Sequence, residues 1–135
     1  MLLARCLVVF ALCLGSPGLW SAEAPTEPTS ELEYVEMAPA FVVNVGSSGR
    51  VAFLKAGVTL RTARQATPLV ELHMPALRHQ LIMLLSRQEP EALDSPEKRE
   101  ALRLEAREDL RGTLKSLAND DGIEDLLFTT FIIQR

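Results

Sequence analysis

Apolar and polar side chains alternate along the first part of the folded region, which predicts β-strands. The run 41–45, FVVNV, is rich in β-branched and aromatic residues, although Pro39 confines the residues before it to an edge or a bulge. After the turn residues of 46–49, residues 50–62 alternate. Their apolar side is formed by Leu54, Ala56, Val58 and Leu60. Segments 34–45 and 50–62 are therefore predicted to form a β-hairpin.

A repeat of three and four residues replaces this alternation from Pro68 onwards and predicts helices that are buried on one face. The repeating positions are Leu69, Leu72, Leu77, Leu81, Leu84 and Leu85. Proline is tolerated in the first turn of a helix, so Pro75 divides this region into a short helix before Met74 and a longer helix over 75–87. A capping-box pattern over 94–97 predicts the start of a third helix.

The third helix and the last apolar segment complete the predicted fold. The helix is expected to face the sheet with Leu102, Ala106, Leu110, Leu114 and Leu117. It should end at the turn residues of 119–122. Residues 126–134, LLFTTFIIQ, are apolar on both faces, which predicts a central strand that is covered on both sides. The fold class is α+β, with a small mixed sheet of about three strands, the hairpin and the C-terminal strand, packed against two to three helices.

Residues 1–24 have the composition of a targeting segment rather than of a folded domain. Arg5 supplies a positive start, and an apolar run over 7–14 precedes the helix-breaking residues of 15–18. This run is shorter than the ~20 apolar residues that a bilayer-spanning helix needs. We therefore expect a signal peptide that exports the protein, and a retained single-pass anchor is the alternative that the sequence leaves open.

Residues 25–33 are rich in Pro, Glu, Thr and Ser and are predicted to form an extended tether, so the folded domain is expected to span 34–135. Both cysteines, Cys6 and Cys13, precede this domain, which therefore holds no disulfide. The chain has 135 residues and a formal net charge of -4, in keeping with one globular domain. The negative charge and the expected export together argue against nucleic-acid binding.

The sequence contains no familiar catalytic or cofactor-binding motif. It lacks the G-x-S-x-G, P-loop and G-x-G-x-x-G patterns. His73 and His79 are six residues apart, which is not a spacing that places two metal ligands on one helix face, and no cysteine lies near them. We therefore expect no enzymatic activity, no metal, no cofactor and no small-molecule substrate.

A row of arginines follows one side of the predicted third helix at intervals of four residues. The row consists of Arg99, Arg103, Arg107 and Arg111, with glutamates beside it. A solvated face crossed by ion pairs is one interpretation. A docking stripe for an acidic neighbour, such as a second copy of the protein, is the other.

Residues 34–134 resemble the FliL family of flagellar basal-body-associated proteins in the order of their segments. The resemblance includes the strand 41–45, the helix start 75–79, the helix end 84–86 and the closing segment 128–134. The positions that match the family pattern are Phe41, Asn44, Pro75, Arg78, Phe131 and Gln134. The resemblance implies that most of these residues act in folding and that none of them is catalytic.

The resemblance also implies a stomatin- or SPFH-like domain on the periplasmic side of a bacterial inner membrane. Its copies would form homo-oligomeric rings beside the stator and other basal-body components, and would support flagellar rotation, swimming, swarming and chemotactic motility. Family members usually keep a longer transmembrane helix, whereas this chain begins with a leader-like run that contains Gly and Pro. A periplasmic SPFH-like binding or scaffold module without a role in the motor is the alternative.

Overall fold

The computed structural model describes residues 31–47, 49 and 51–135. The predicted signal peptide over 1–24 and most of the predicted tether over 25–33 therefore lie outside the described residues. Positions 48 and 50, in the predicted hairpin turn and directly after it, also lie outside them. None of the helices formed by the described residues combines the length and the hydropathy that a bilayer-spanning segment requires.

The described residues form an α+β fold, which confirms the predicted class. The strands are β1 (Leu32–Glu36), β2 (Phe41–Val45), β3 (Ala52–Ala63) and β4 (Ile123–Gln134). The α-helices are α1 (Thr67–Leu72), α2 (Met74–Ser86) and α3 (Pro96–Ala118). Short 3-10 turns at Arg64–Ala66 and Pro90–Leu93 precede α1 and α3.

Strand β3 lies at the centre of the sheet. Strands β1 and β2 pair with it one after the other along one edge, and β4 pairs with it along the other edge. All of these pairings are antiparallel, whereas a mixed sheet was predicted. The predicted first strand over 34–45 forms two strands, because Pro39 between them has no backbone N–H to contribute to the ladder. The first of them, β1, begins at Leu32, two residues earlier than expected.

The prediction that the C-terminal segment is a central strand was wrong. Among the described residues β4 pairs only with β3, so it is an edge strand. Helix α3 packs on one face of β4 and covers its apolar side chains. The apolar side chains of the other face remain in contact with solvent, so apolar residues on both faces did not mean burial on both. Ile132 on that face is 49% exposed.

The helices pack on one face of the sheet, and the core lies between the two layers. The apolar side of β3 is fully buried there, as the alternation predicted. Leu102, Ala106, Leu110 and Leu114 of α3 are also buried, which confirms the orientation of this helix. The largest buried side chains include Phe41, Met37, Leu60, Leu81, Leu85 and Leu110.

Two leucines of the predicted buried stripes lie outside the core. Leu117 is 48% exposed and lines a shallow groove between α2 and α3, whereas the adjacent Ala118 packs against the core. Leu72 is 70% exposed, because α1 ends there and the chain restarts as α2 at Met74, so the two helices do not share one continuous face.

The ends of α3 follow the predicted signals in part. Ser95 is the N-cap, and its hydroxyl oxygen accepts a hydrogen bond from the Lys98 N–H at 3.4 Å. The carboxylate of Asp94 does not cap the helix and instead binds the Arg135 guanidinium. At the other end Asn119 adopts a left-handed φ of 54° and closes the helix, as expected for the turn over 119–122.

Candidate interaction surfaces

Arg103 is the most strongly bound member of the arginine row. Its Nε and Nη2 atoms donate hydrogen bonds to the Glu100 carboxylate at 2.8 and 2.7 Å, and Nη1 binds the Asp125 carboxylate of β4. The hydrogen bond to Glu100, opposed by partial burial and reinforced by Asp125, raises the pKa of Arg103 above its ordinary value. The side chain is only 19% exposed, so Arg103 belongs to the interface of α3 with the sheet.

This cluster also binds backbone groups at the start of β4. The Leu126 C=O accepts a hydrogen bond from Arg103 Nη1 at 2.9 Å, and the Leu126 N–H donates one to Asp125 Oδ1 at 2.9 Å. Burial opposes ionisation of Asp125, but the Leu126 N–H and the Arg103 guanidinium outweigh it and lower the pKa of this carboxyl group. An edge strand exposes unpaired backbone groups, and charged side chains placed over them block pairing with another chain.

The remaining arginines of the row differ from Arg103 and from one another. Arg107 binds Glu108 at 2.8 Å, and Arg111 lies 3.8 Å from Asp121. Arg99 forms no ion pair with a carboxylate of the described residues, and its buried Nε has no hydrogen-bond partner there. Three of the four arginines therefore form ion pairs with neighbouring carboxylates. Arg99, at the N-terminal end of the row, has no carboxylate partner among the described residues, and its Nη2 donates a long hydrogen bond of 3.5 Å to the Asp94 C=O.

Arg99 lies beside a groove between α3 and β4. The groove has a volume of about 410 Å³, and its apolar lining includes Leu127, Phe128 and Phe131. The two phenylalanine rings meet edge to face, with centroids 5.1 Å apart, and the Arg99 guanidinium carbon lies 6.0 Å from the Phe131 ring centroid. The structure thus places Phe131, a position of the family pattern, at a partly exposed aromatic surface rather than deep in the core.

Two other positions of the family pattern hold the corner between β1 and β2. Arg78 of α2 donates a hydrogen bond to the Met37 C=O at 2.6 Å, and its guanidinium carbon lies 4.2 Å from the Phe41 ring centroid. Phe41 itself is buried. The expected role of Arg78 and Phe41 in folding therefore has a physical basis. Pro75 lies in the first turn of α2, where its missing N–H costs no helical hydrogen bond.

The last two family positions are exposed on the sheet face against which none of the described helices packs, and which we call the open face. Strand register places Asn44 and Gln134 on either side of Phe53 in one row across β2, β3 and β4. Phe53 is 46% exposed. The adjacent row on this face contains Val42, Lys55 and Ile132. Apolar side chains that stay in water on a sheet face are typical of a surface that binds another protein.

The described residues contain no group of three His, Cys, Asp or Glu side chains that could hold a metal ion. His79 lies beside the shallow groove between α2 and α3, and His73 lies at the junction of α1 and α2. A larger open groove, of about 590 Å³, lies beside Val51 and Pro90 and contains the exposed Asp94 and Arg135 pair. The charged groups of that pair are thus engaged with each other.

Sequence patterns did not single out Asp125, Phe128 or Phe53. Asp125 and Phe128 become significant only through the register of β4 with β3 and the packing of α3. Alternation does place Phe53 on the polar side of β3, and a phenylalanine among polar neighbours was the available signal.

Comparison with known proteins places the folded domain described above in one family. The sequence profile of the family described as "Flagellar basal body-associated protein FliL" matches residues 34–134. The "Flagellar protein FliL" of Escherichia coli strain K12 is 32% identical over 95 residues, which cover 70% of this chain and 60% of that protein. The protein of the same name from Aquifex aeolicus strain VF5 is 26% identical over 100 residues, which cover 73% of this chain and 60% of that protein. The chain thus spans about 60% of the length of these relatives. On the strength of the profile match, which covers nearly all of the sheet and every helix described above, the chain belongs to the flagellar basal body-associated FliL family.

Proposed function

We propose that the protein is a non-enzymatic accessory of the flagellar motor. It assembles with copies of itself, as a ring, next to the stator and other basal-body components on the periplasmic side of the inner membrane. In this position it supports flagellar rotation, swimming, swarming and chemotactic motility. The family match over residues 34–134 is the observation that carries the flagellar role.

The surface of the domain supports action by binding rather than by catalysis. The groove beside Phe131 and the groove beside Val51 are open, and most of the charged groups that line them form ion pairs, Glu100 with Arg103 and Asp94 with Arg135. No catalytic set of nucleophile, base and orienting group comes together in this part of the chain. The open face, in contrast, presents Val42, Phe53 and Ile132 to solvent. Removing such apolar side chains from water when a partner covers them is favourable, so they can contribute to binding.

The arginine row offers a second candidate contact. Arg107 and Arg111 are partly exposed and pair with neighbouring surface carboxylates, so an acidic partner could exchange with those carboxylates at low cost. Arg103 is unsuited to this role because its guanidinium is bound to β4. We therefore propose Arg107 and Arg111, rather than the whole row, as a docking stripe.

Deletion of the gene tests the proposed function. Swimming and swarming should both decline while flagella are still assembled, and expression of the parent chain should restore them. A deletion strain that swims and swarms like its parent would contradict the motor role. It would favour the periplasmic binding or scaffold module that the sequence left open.

A further inference from the structure

The groove between α3 and β4 has the chemistry of a site for a proline-rich peptide. Its floor is the aromatic pair Phe128 and Phe131, and grooves lined by aromatic rings bind the polyproline II helix. Arg99 stands at the same groove with a buried Nε that has no hydrogen-bond partner among the described residues. Glu100 and Arg103 also line the groove, but they engage each other. Arg99 Nη2 donates only a long hydrogen bond, of 3.5 Å, to the Asp94 C=O, so Arg99 is the cationic group of the groove that has no carboxylate partner among the described residues.

The chain contains a segment of the matching chemistry before β1. Residues 23–30 read EAPTEPTS, and within them Pro25 and Pro28 are three residues apart. A polyproline II helix has three residues per turn, so these two prolines would fall on one side of it. Glu27 stands between the prolines and carries a negative charge. The segment ends directly before Glu31, the first residue that the structure describes.

We propose that the groove of one copy binds residues 25–30 of a second copy, the part of this segment that follows the predicted signal peptide. Pro25 and Pro28 pack against Phe128 and Phe131, and the Glu27 carboxylate accepts hydrogen bonds from Arg99. A charge-assisted bond of this kind is stronger than a neutral one and fixes the direction of the bound segment. This inference rests on the self-assembly proposed above and deepens it, because it names what each copy contributes to the next.

The reach of the chain excludes binding of the whole motif in its own groove. The Arg64 N–H donates a hydrogen bond to the Glu31 C=O, so Glu31 is fixed opposite Arg64, whereas Phe128 of β4 pairs with Val58, six residues away along β3 and on its other edge. At ~3.3 Å per residue and ~4.8 Å per strand spacing, the Cα atoms of Glu31 and Phe128 are about 22 Å apart. Pro28 precedes Glu31 by three residues, so its Cα can lie no farther than ~11 Å from that of Glu31. The distance that remains is longer than a proline and a phenylalanine side chain span together, so a second copy is required to supply both prolines.

The contact is heterologous, since each copy offers one segment and one groove at different places on its surface. Such contacts join copies head to tail and close into a ring when the rotation between neighbours allows it. The segment leads into β1 and the groove lies beside β4, on opposite edges of β3. Each copy can therefore give its segment to one neighbour and receive that of another.

A charge exchange between Arg99 and Glu27 tests the inference. The full-length chain is purified in a mild detergent, because residues 1–20 are largely apolar, and its self-association is measured by analytical ultracentrifugation. Arg99→Glu and Glu27→Arg should each weaken association by roughly tenfold or more, since like charges then face each other. The double variant should restore it. A mixture of the two single variants should also associate, because the segment of the Glu27→Arg chain then fits the groove of the Arg99→Glu chain.

The matched control is Lys98→Glu, which makes the same charge change on the adjacent exposed residue of α3, outside the groove. It should associate like the parent. Arg99→Gln serves as a second variant if Arg99→Glu lowers the melting temperature, and it should also associate more weakly. Parent-like association of the Arg99 and Glu27 variants, or no recovery in the double variant, would overturn the inference but leave the proposed assembly intact. A parent chain that stays monomeric at every concentration would overturn the assembly itself.

Discussion

The two faces of the sheet differ in what they contribute. The face under the helices buries the apolar side of β3 against α2 and α3, and substitutions there act on stability. The open face keeps Phe53 and Ile132 in contact with water, so the fold gains little from them. One sequence pattern, the alternation along β3, thus generates a face for folding and an exposed face that we propose for binding. Substitutions that separate stability from motility should reveal this division.

The largest effect on stability is expected on the covered face. Leu110 of α3 is fully buried, so Leu110→Ala removes buried apolar surface and leaves a cavity. The free energy of unfolding should fall by ~2–5 kcal/mol in chemical denaturation. A loss below ~0.5 kcal/mol, as at an exposed site, would show that α3 does not face the sheet as described.

An intermediate effect is expected where α3 meets the free edge of the sheet. Arg103→Met removes the closer of the two cationic partners of Asp125, since Arg61 lies 4.0 Å away, and leaves the Leu126 C=O without this hydrogen bond. The free energy of unfolding should therefore fall by ~1–3 kcal/mol. Arg107→Met is the matched control, since Arg107 binds the exposed Glu108, and it should cost less than ~1 kcal/mol. Equal losses in the two variants would contradict the structural role of Arg103.

These two sites show how much the sequence could predict. The burial of Leu110 follows from spacing along one helix, which local periodicity reports. The binding of Arg103 to Asp125 joins residues 22 positions apart and depends on how β4 pairs with β3 and where α3 crosses it. An arginine row in sequence therefore concealed members with different roles.

The error over β4 has the same origin. Its composition reports that both faces carry apolar groups, but composition cannot distinguish burial under a second layer from an apolar surface kept for a partner. The prediction from Pro39 succeeded because it depends on local chemistry alone. A proline cannot donate to a strand ladder, and β1 and β2 lie at one edge of the sheet as separate strands on either side of it.

A smaller effect is expected from acid. The pKa of Asp125 is lowered in the folded protein, so its contribution to stability is present above the ordinary carboxyl pKa of ~4 and is lost as the pH falls through the lower folded value. The free energy of unfolding should therefore decline below about pH 4. Asp125→Asn should decline less steeply over this range, although Glu97 and Glu100, whose pKa values are also lowered, retain part of the slope. Identical slopes in the parent and the variant would contradict a lowered pKa at Asp125.

The smallest effect on stability, and the most direct test of the central claim, belongs to the open face. Phe53→Glu adds a charge where Phe53 is already half exposed, so the melting temperature should stay close to that of the parent. Leu104→Glu makes a comparable change at an exposed position of α3 and serves as its control. Both variants are expressed in a strain that lacks the gene, and swarming is measured. If the open face binds a partner in the motor, Phe53→Glu should swarm poorly and Leu104→Glu should swarm like the parent. Full swarming with Phe53→Glu, in a protein that folds normally, would contradict this account.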